Sequence, residues 1–428
     1  MSALPSSLSG VGRGLVALGA AALVATLGLA RDPGPRIDDG RLPGEPDGDL
    51  VVRAQELHTV SGGVIADGVV VVRGGRIAAV GPAAEVAIPA DLPVVEAPVV
   101  TPGLIDAHTV VGLAGYLNQD HDQDQLEGSE PLQPELRALD AYNARERLVA
   151  WVRSFGVTTL HTGHGPGALI SGETMLVKTR GTTVDEALLE PRAMVAATLG
   201  PSSQADGGAS PGTRGKQLAM LRALFVRGQG YAAEQAAGED MDVDLRLEAV
   251  ARLLRREVPL LVTAHRHHDI LAALRLAREF DLDLVLDGAA EAHLVVDELV
   301  AAGVPVVVHP TMMRASGETE NLSMETAATL ADAGVPIALQ SGFESYVPKT
   351  RVVLFEAGVA AANGLGPERA LRTITLGAAE LLGIDDRVGS LEVGKHADLA
   401  LYDGDPFEYT THCVGTVIEG RVVSLERR

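Results

Sequence analysis

Cysteine occurs once in 428 residues, at Cys413, so no disulfide can form within the chain. A single thiol with no His or Asn partner near it in sequence reads as a small core residue rather than a nucleophile. Aromatic residues are scarce, at 3%, so the core must be built from Ala, Val and Leu, which the 46% hydrophobic content supplies. Positive charge is also short: 35 Lys and Arg stand against 57 Asp and Glu, a formal net charge of −22. That balance argues against a nucleic-acid partner, which draws basic faces. Long apolar runs are missing except near the start, where Arg13 precedes the stretch from Leu15 to Leu29, with small residues at Gly28 and Ala30. This is the layout of a secretory signal over residues 1–30, and it is short for a helix that must span a bilayer. Export to the periplasm or the medium is expected, with no integral membrane domain once the signal is cleaved; the alternative is an uncleaved anchor. Residues 31–48, rich in Pro, Gly and Asp, read as a flexible linker.

From Leu50 onward the chain is strongly patterned. Val69 to Arg73 and Arg76 to Val80 flank Gly74-Gly75, which reads as a tight hairpin. Similar short strands return only at the far end, from Asp398 to Tyr402, Val414 to Ile418 and Arg421 to Val423 around a Glu419-Gly420 turn. A lone hairpin is marginally stable in water, so residues 49–100 and 390–428 are expected to pair into one small β-sandwich domain. Between them, apolar runs suited to strands buried on both faces (Val157 to Leu160, Pro259 to Thr263, Leu282 to Leu286, Pro305 to Val308, Pro336 to Leu339) alternate with helical stretches such as Leu136 to Phe155 and Ile270 to Phe280. Ala-Gly-Val-Pro recurs at Ala302 to Pro305 and Ala333 to Pro336, each time before a strand. The alternation predicts an α/β fold, a (β/α)8 TIM-type barrel over residues 101–389, with residues 207–244 as helical and loop decoration. No Gly-rich phosphate fingerprint opens the first unit, which sets a dinucleotide-binding sheet aside.

In such a barrel, chemistry sits at the C-terminal ends of the strands. Those ends are polar here: Asp106 and His108, His161 and His164, Lys178, His265 and His267, Asp287, His309 and Gln340. Each alone is unremarkable, but their convergence on one mouth would suit a divalent metal such as zinc. The loop from Asn118 to Gln125 follows the first strand over that mouth. Its Asp120, His121 and Asp122, with Gln340, are candidates to contact substrate, although the loop's acids could equally hold a cation or be merely solvated. Glu344 and Lys349 could supply acid–base groups past the last strand.

The segment Thr101-Pro102-Gly103-Leu104-Ile105-Asp106-Ala107-His108 resembles the first-strand motif of the amidohydrolase superfamily, most closely its imidazolonepropionase-like branch. The run from Val388 to Leu399 is similar to the same family's return from barrel to β-domain, and the likeness extends from about Leu50 to the C-terminus. The resemblance implies a hydrolase of carbon–nitrogen bonds other than peptide bonds, in which a metal-bound water attacks a carbonyl. It also exposes departures. The His-x-His of the first strand reads His108-Thr109-Val110, the sixth-strand His before Glu291 is replaced by Gly288, and the eighth-strand Asp aligns with Gly342. His108 and His265 keep family positions, and Lys178 matches loosely the lysine that some relatives carboxylate. At most one metal ion, zinc, is therefore expected, on a set drawn from His108, His265, Lys178, His161, His164 and His309, with Glu291 and Glu344 as catalytic carboxyls. The expected function is C–N hydrolysis in a small molecule; the alternative is a non-catalytic barrel that binds a ligand or scaffolds a partner, as a homo-oligomer or with a paralogue.

Overall fold

The structure, a computed structural model, describes residues 48–117, 119–205, 207–238, 241–309, 311, 315–342 and 352–428. The expected signal segment and nearly all of the linker lie outside the described residues, as do Asn118, Glu344 and Lys349.

Strands β1 (Leu50–His58), β2 (Val64–Arg73), β3 (Arg76–Pro82) and β4 (Val94–Pro102) open the chain. Gly74 and Gly75 sit at φ 56° and 75° and turn β2 into β3, as a Gly-Gly pair at a two-residue hairpin requires. There follow β5 (Leu104–Thr109), α1 (Arg147–Arg153), β6 (Val157–Thr162), β7 (Ile170–Glu173), β8 (Met175–Lys178), α2 (Val184–Ala187), β9 (Leu188–Glu190) and β10 (Val195–Thr198). The second half of this region runs α3 (Arg214–Ala237), α4 (Leu245–Leu254), β11 (Leu260–Ala264), α5 (His267–Phe280), β12 (Leu284–Gly288), α6 (Val296–Ala302), β13 (Val306–Val308), α7 (Thr326–Asp332) and β14 (Ile337–Leu339). Helices α8 (Val353–Ala360), α9 (Pro367–Thr373) and α10 (Leu376–Leu381) precede the closing strands β15 (Leu399–Tyr402), β16 (Cys413–Ile418) and β17 (Arg421–Ser424).

From β10 to β14 each strand pairs parallel with the next. Their residues are buried on both faces, and the two-residue period of a strand divides them cleanly. Leu260 and Val262 point to the helices, whereas Leu261, Val285, Val307 and Ala338 join Ile105 and Leu176 in one inner cluster. That inner layer, one side chain from each of several strands, is how a TIM-type barrel fills its centre. Among the described residues the ring is not hydrogen-bonded all round. The ladders form a six-stranded sheet, β14-β13-β12-β11-β10-β7, and a four-stranded sheet, β5-β6-β8-β9. An isolated backbone bridge, Thr109 to Gly342, ties β5 to the end of β14. The expected regular eightfold repeat is thus a TIM-barrel-like α/β arrangement with mixed sheets. Between β6 and β10 the chain inserts antiparallel strands where a βα unit was predicted.

The ends of the chain share one sheet, in the order β17-β16-β15-β4-β1-β2-β3, with β15 antiparallel to β4. It is one continuous seven-stranded ladder where a two-sheet sandwich was expected. Leu50, Val52, Val70, Val100, Leu399 and Val417 bury one of its faces in a common core. The single helix expected over Leu136 to Phe155 is broken: Asn143 Oδ1 accepts from Arg145 N at 3.0 Å, and Glu146 caps a fresh start through Leu148 N at 2.5 Å. In the decorating region α3 begins at Thr213, whose hydroxyl accepts from Lys216 N, and ends at Gly238 with φ 69°. Among the described residues no helix is long and apolar enough to cross a membrane.

Candidate active site

The inner layer sets the site. Two residues past Leu261, Val285, Val307 and Ala338 on the same faces stand Thr263, Asp287, His309 and Gln340. Together with His108, Val110, Pro166, His265, Gly288 and Gly342 they line a cavity of about 80 Å³ at the C-terminal ends of the strands.

Asp287 is its electrostatic centre. The buried carboxylate accepts from His108 Nδ1 at 3.0 Å, Thr263 Oγ1 at 2.5 Å and Gln340 Nε2 at 2.5 Å. Burial pushes its pKa up, but the His108 charge and these hydrogen bonds outweigh burial and hold it at about 2. Burial pushes buried His108 down, yet the Asp287 charge and hydrogen bond carry it above the ordinary histidine value. With a carboxylate on Nδ1, the neutral ring keeps its proton there and leaves Nε2 as the basic nitrogen. His108 Nε2 is buried without a hydrogen-bond partner. Next to it Asp106 ties β5 to the end of β14, accepting from Ser341 N at 3.0 Å and Ser341 Oγ at 2.5 Å, and burial raises it to about 7.

Of the residues singled out from sequence, His108, His265, His309 and Gln340 meet at the cavity. His265 is half-buried, its Nδ1 is buried and unbonded, and burial pushes its pKa down. His161 stands with its ring 5.5 Å from that of His108, but Ala107 O and Thr174 Oγ1, each at 2.7 Å, engage both its nitrogens. Burial drives it to about 3, a permanently neutral structural ring. His164 packs against Gly172 outside the lining, and burial holds it at about 4.

Lys178 is not brought to the mouth. The antiparallel pairing of β8 with β6 sets it opposite Thr159, while Met175 faces Thr162 at the mouth end. It is buried there in an ion pair with Asp398 and donates to Thr159 Oγ1 at 3.2 Å. Glu291 is fully buried beneath the turn after β11. It accepts from His267 N at 2.8 Å, His267 Nδ1 at 2.7 Å and Asn321 Nδ2 at 2.8 Å, and Arg266 Nε lies 3.0 Å away. Burial raises its pKa, but these partners outweigh burial and hold it at about 2. Its own N–H donates to His265 O at 2.9 Å, so it fixes the loop that carries His265 and does not line the cavity. Asp120, His121 and Asp122 form a short 3-10 turn outside the lining. Glu344 lies outside the described residues.

Sequence reasoning placed Asp287 at the mouth without giving it a role, passed over Thr263, and read Gly288 and Gly342 only as lost ligands. A strand-end position one period beyond an apolar inner residue is the signal that finds the first two. The glycines serve the rings. A Cβ on Gly288 would stand 2.6 Å from His265 Cε1, and one on Gly342 would stand 2.6 Å from His309 Nε2.

The same donors bear on a metal ion. His108 Nε2 and His265 Nδ1 are two unbonded imidazole nitrogens, while Asp287 already accepts three hydrogen bonds. Among the described residues no three or more His, Cys, Asp or Glu side chains converge as a metal-binding group. A catalytic zinc takes three protein ligands, so the described donor set does not fit one.

Set against known proteins, residues 111–424 match the sequence model of the amidohydrolase family. The chain belongs to that family. Imidazolonepropionase from Sphingopyxis alaskensis is 29% identical over 392 residues, 82% of this chain and 91% of that protein. The Pseudomonas putida imidazolonepropionase is 29% identical over 385 residues, 84% of this chain and 93% of that one. The structure is similar to an amidohydrolase from Thermotoga maritima MSB8, with TM-score 0.83 and 28% identity over 88% of this chain and 100% of that one. An adenosine deaminase from Xanthomonas campestris with bound zinc shares the fold, with TM-score 0.52 and 19% identity over 87% of this chain and 92% of that one. These neighbours agree with the TIM-barrel-like arrangement.

Proposed function

We propose that this amidohydrolase-family chain hydrolyses a non-peptide carbon–nitrogen bond of a small molecule held at the cavity between His108, Asp287 and His309. The observation that carries the reading is the buried His108–Asp287 pair at 3.0 Å, with Nε2 unbonded at a family-matching strand end. In this reading His108 Nε2 accepts a proton from water as the water oxygen bonds to the substrate carbon. Asp287 holds the tautomer and stabilises the imidazolium that forms. The C–N bond then breaks, and the same proton passes from His108 to the departing nitrogen. No step is routed through a metal ion, because the described donors do not fit one. The relatives named imidazolonepropionase support the bond class.

A second reading, a ligand-binding or scaffold protein without turnover, is favoured by a specific observation. No Lys or Arg is among the described residues lining the cavity, and Thr263 and Gln340 are both engaged by Asp287. Of the described lining residues, only the imidazole of His265, whose Nδ1 is unbonded, is left to polarise a carbonyl beside the His108 base. The test assays purified full-length chain on linear and cyclic amides, before and after zinc, manganese or cobalt is supplied, with elemental analysis alongside. Turnover abolished by His108→Gln and insensitive to chelator supports the hydrolase. Turnover that needs about one metal per chain overturns the metal-free route, and no turnover under any condition supports the second reading.

Two further proposals concern the whole chain. Residues 1–30 act as a cleaved export signal, so protein from the native host should begin near Arg31; intact Met1 in the cytosol would contradict this. Residues 49–100 with 390–428 make one domain and 101–389 the other, supported by the shared sheet of the two ends.

A further inference from the structure

Helix α5 carries two stripes. Ile270, Ala273, Ala277 and Phe280 recur at core spacing and are buried against the barrel. Beside them run Leu271, Leu274, Arg275 and Arg278, again three or four residues apart, and these are half-buried or exposed. The neighbouring helix α6 has seven residues against fourteen in α5, about 10 Å of length against about 21 Å. A groove of about 520 Å³ is lined by both helices. Its floor is apolar, made by the half-buried Leu271, Leu274 and Val304 with the buried Leu282 and Leu284.

The rim of the groove carries both signs. Arg275 and Arg278 stand exposed on α5, Asp281 at the end of that helix, and Glu298 on α6. Asp281 has a partner in Arg256, whose Nη1 lies 3.4 Å from its Oδ1. Arg275, Arg278 and Glu298 make no hydrogen bond or ion pair among the described residues. Exposed arginines elsewhere, such as Arg137, Arg222 and Arg369, each hold a carboxylate. The chain's net charge is −22, so two copies repel over most of their surfaces. A face that meets its own image across a two-fold axis must complement itself. This face does, because unpaired cations and a free carboxylate border one apolar floor.

We propose that the groove between α5 and α6 docks a second copy of this chain about a two-fold axis. Arg275 and Arg278 of each copy lay their methylene stems on the apolar floor of the other and bring their guanidiniums to its Glu298. Two helices of these lengths offer less than the roughly 800 Å² per partner of a stable dimer. The association is therefore weak, with Kd on the order of 10 µM. None of these residues lines the cavity at His108, so the dimer stands or falls independently of the hydrolase reading.

Sedimentation velocity of the full chain from about 1 to 200 µM tests the proposal, and a monomer passing into a dimer is expected across that range. Two variants reverse the rim: Arg275→Glu with Arg278→Glu in one chain, and Glu298→Arg in another. Each alone sets like charges against each other at both contacts and should weaken self-association by about tenfold or more. Mixed one to one, the two variants should associate again to within about threefold of wild type, since each copy then meets its opposite. Destabilisation cannot produce that rescue. All three positions are exposed, and a melting curve on each variant checks its fold. Arg278→Glu alone replaces the double change should that chain fail to fold. A monomer throughout the range, self-association unchanged in both variants, or two monomeric variants that stay monomeric when mixed, each overturns the proposal.

Discussion

Gly288 is the seat of the His265 ring: a Cβ at residue 288 would stand 2.6 Å from His265 Cε1 and 3.1 Å from its Nδ1. The backbone there, at φ 76°, is also one that L side chains adopt at a cost. Gly288→Ala should therefore destabilise the fold by about 1–3 kcal/mol and displace His265. Urea denaturation measures the first effect and the histidine ring resonances the second. An unchanged midpoint with unmoved His265 signals would refute the steric account.

Asp287→Asn removes one partner of a buried ion pair, a change that costs about 3–5 kcal/mol. The pH dependence has a definite sign. Asp287, depressed from 3.8 to about 2, contributes stability above its unfolded value and loses it as pH falls through the folded one. His108, raised above 6.5, contributes fully below that value and loses it as pH rises through its folded pKa. The gap between wild type and variant should be widest between about pH 4 and 6.5, narrowing on both sides. In the variant, with the Asp287 charge gone and only Asp106 and the His164 backbone left to oppose burial, His108 should titrate lower than in the wild type by NMR.

Lys178 shows where the sequence was legible and where it was not. That Lys178 belongs to a strand end was visible in the sequence. The strand's direction was not, because an antiparallel strand and a parallel one bury the same residues, and only pairing with β6 decides which end meets the mouth. His108, Asp287, His309 and Gln340 were readable as strand ends because parallel strands each followed by a helix leave their C-terminal residues facing one way. Gly288 and Gly342 could be read only as missing donors, since a contact with a ring from another strand leaves no local trace. The shared sheet of the two ends was legible from two hairpins too small to stand alone, but its continuity as one ladder depends on β15 meeting β4, a contact about 300 residues apart in the chain. Lys178→Met should cost about 3–5 kcal/mol by stranding Asp398, and the double change with Asp398→Leu should recover most of it. Metal content, if any is measured, should not move with Lys178.

Removal of residues 397–428 takes away β15, β16 and β17 and bares the edge of β4 together with the core built on Val100, Leu399 and Val417. The lost apolar burial is on the order of several kcal/mol. The shortened chain should aggregate or melt without cooperativity, as light scattering and calorimetry would show. A soluble product with an unshifted melting temperature would mean that the first four strands stand without their partners.

The position of β15 between β16 and β4 also sets a timetable. A ribosome makes β4 first, yet the strand that covers its edge emerges about 300 residues later. For most of synthesis the chain carries an unpaired β edge, the kind of surface that recruits other chains. The nascent protein thus depends on being kept apart from its neighbours until Leu399–Tyr402 arrives, and any truncation ahead of that strand would leave the edge open for good.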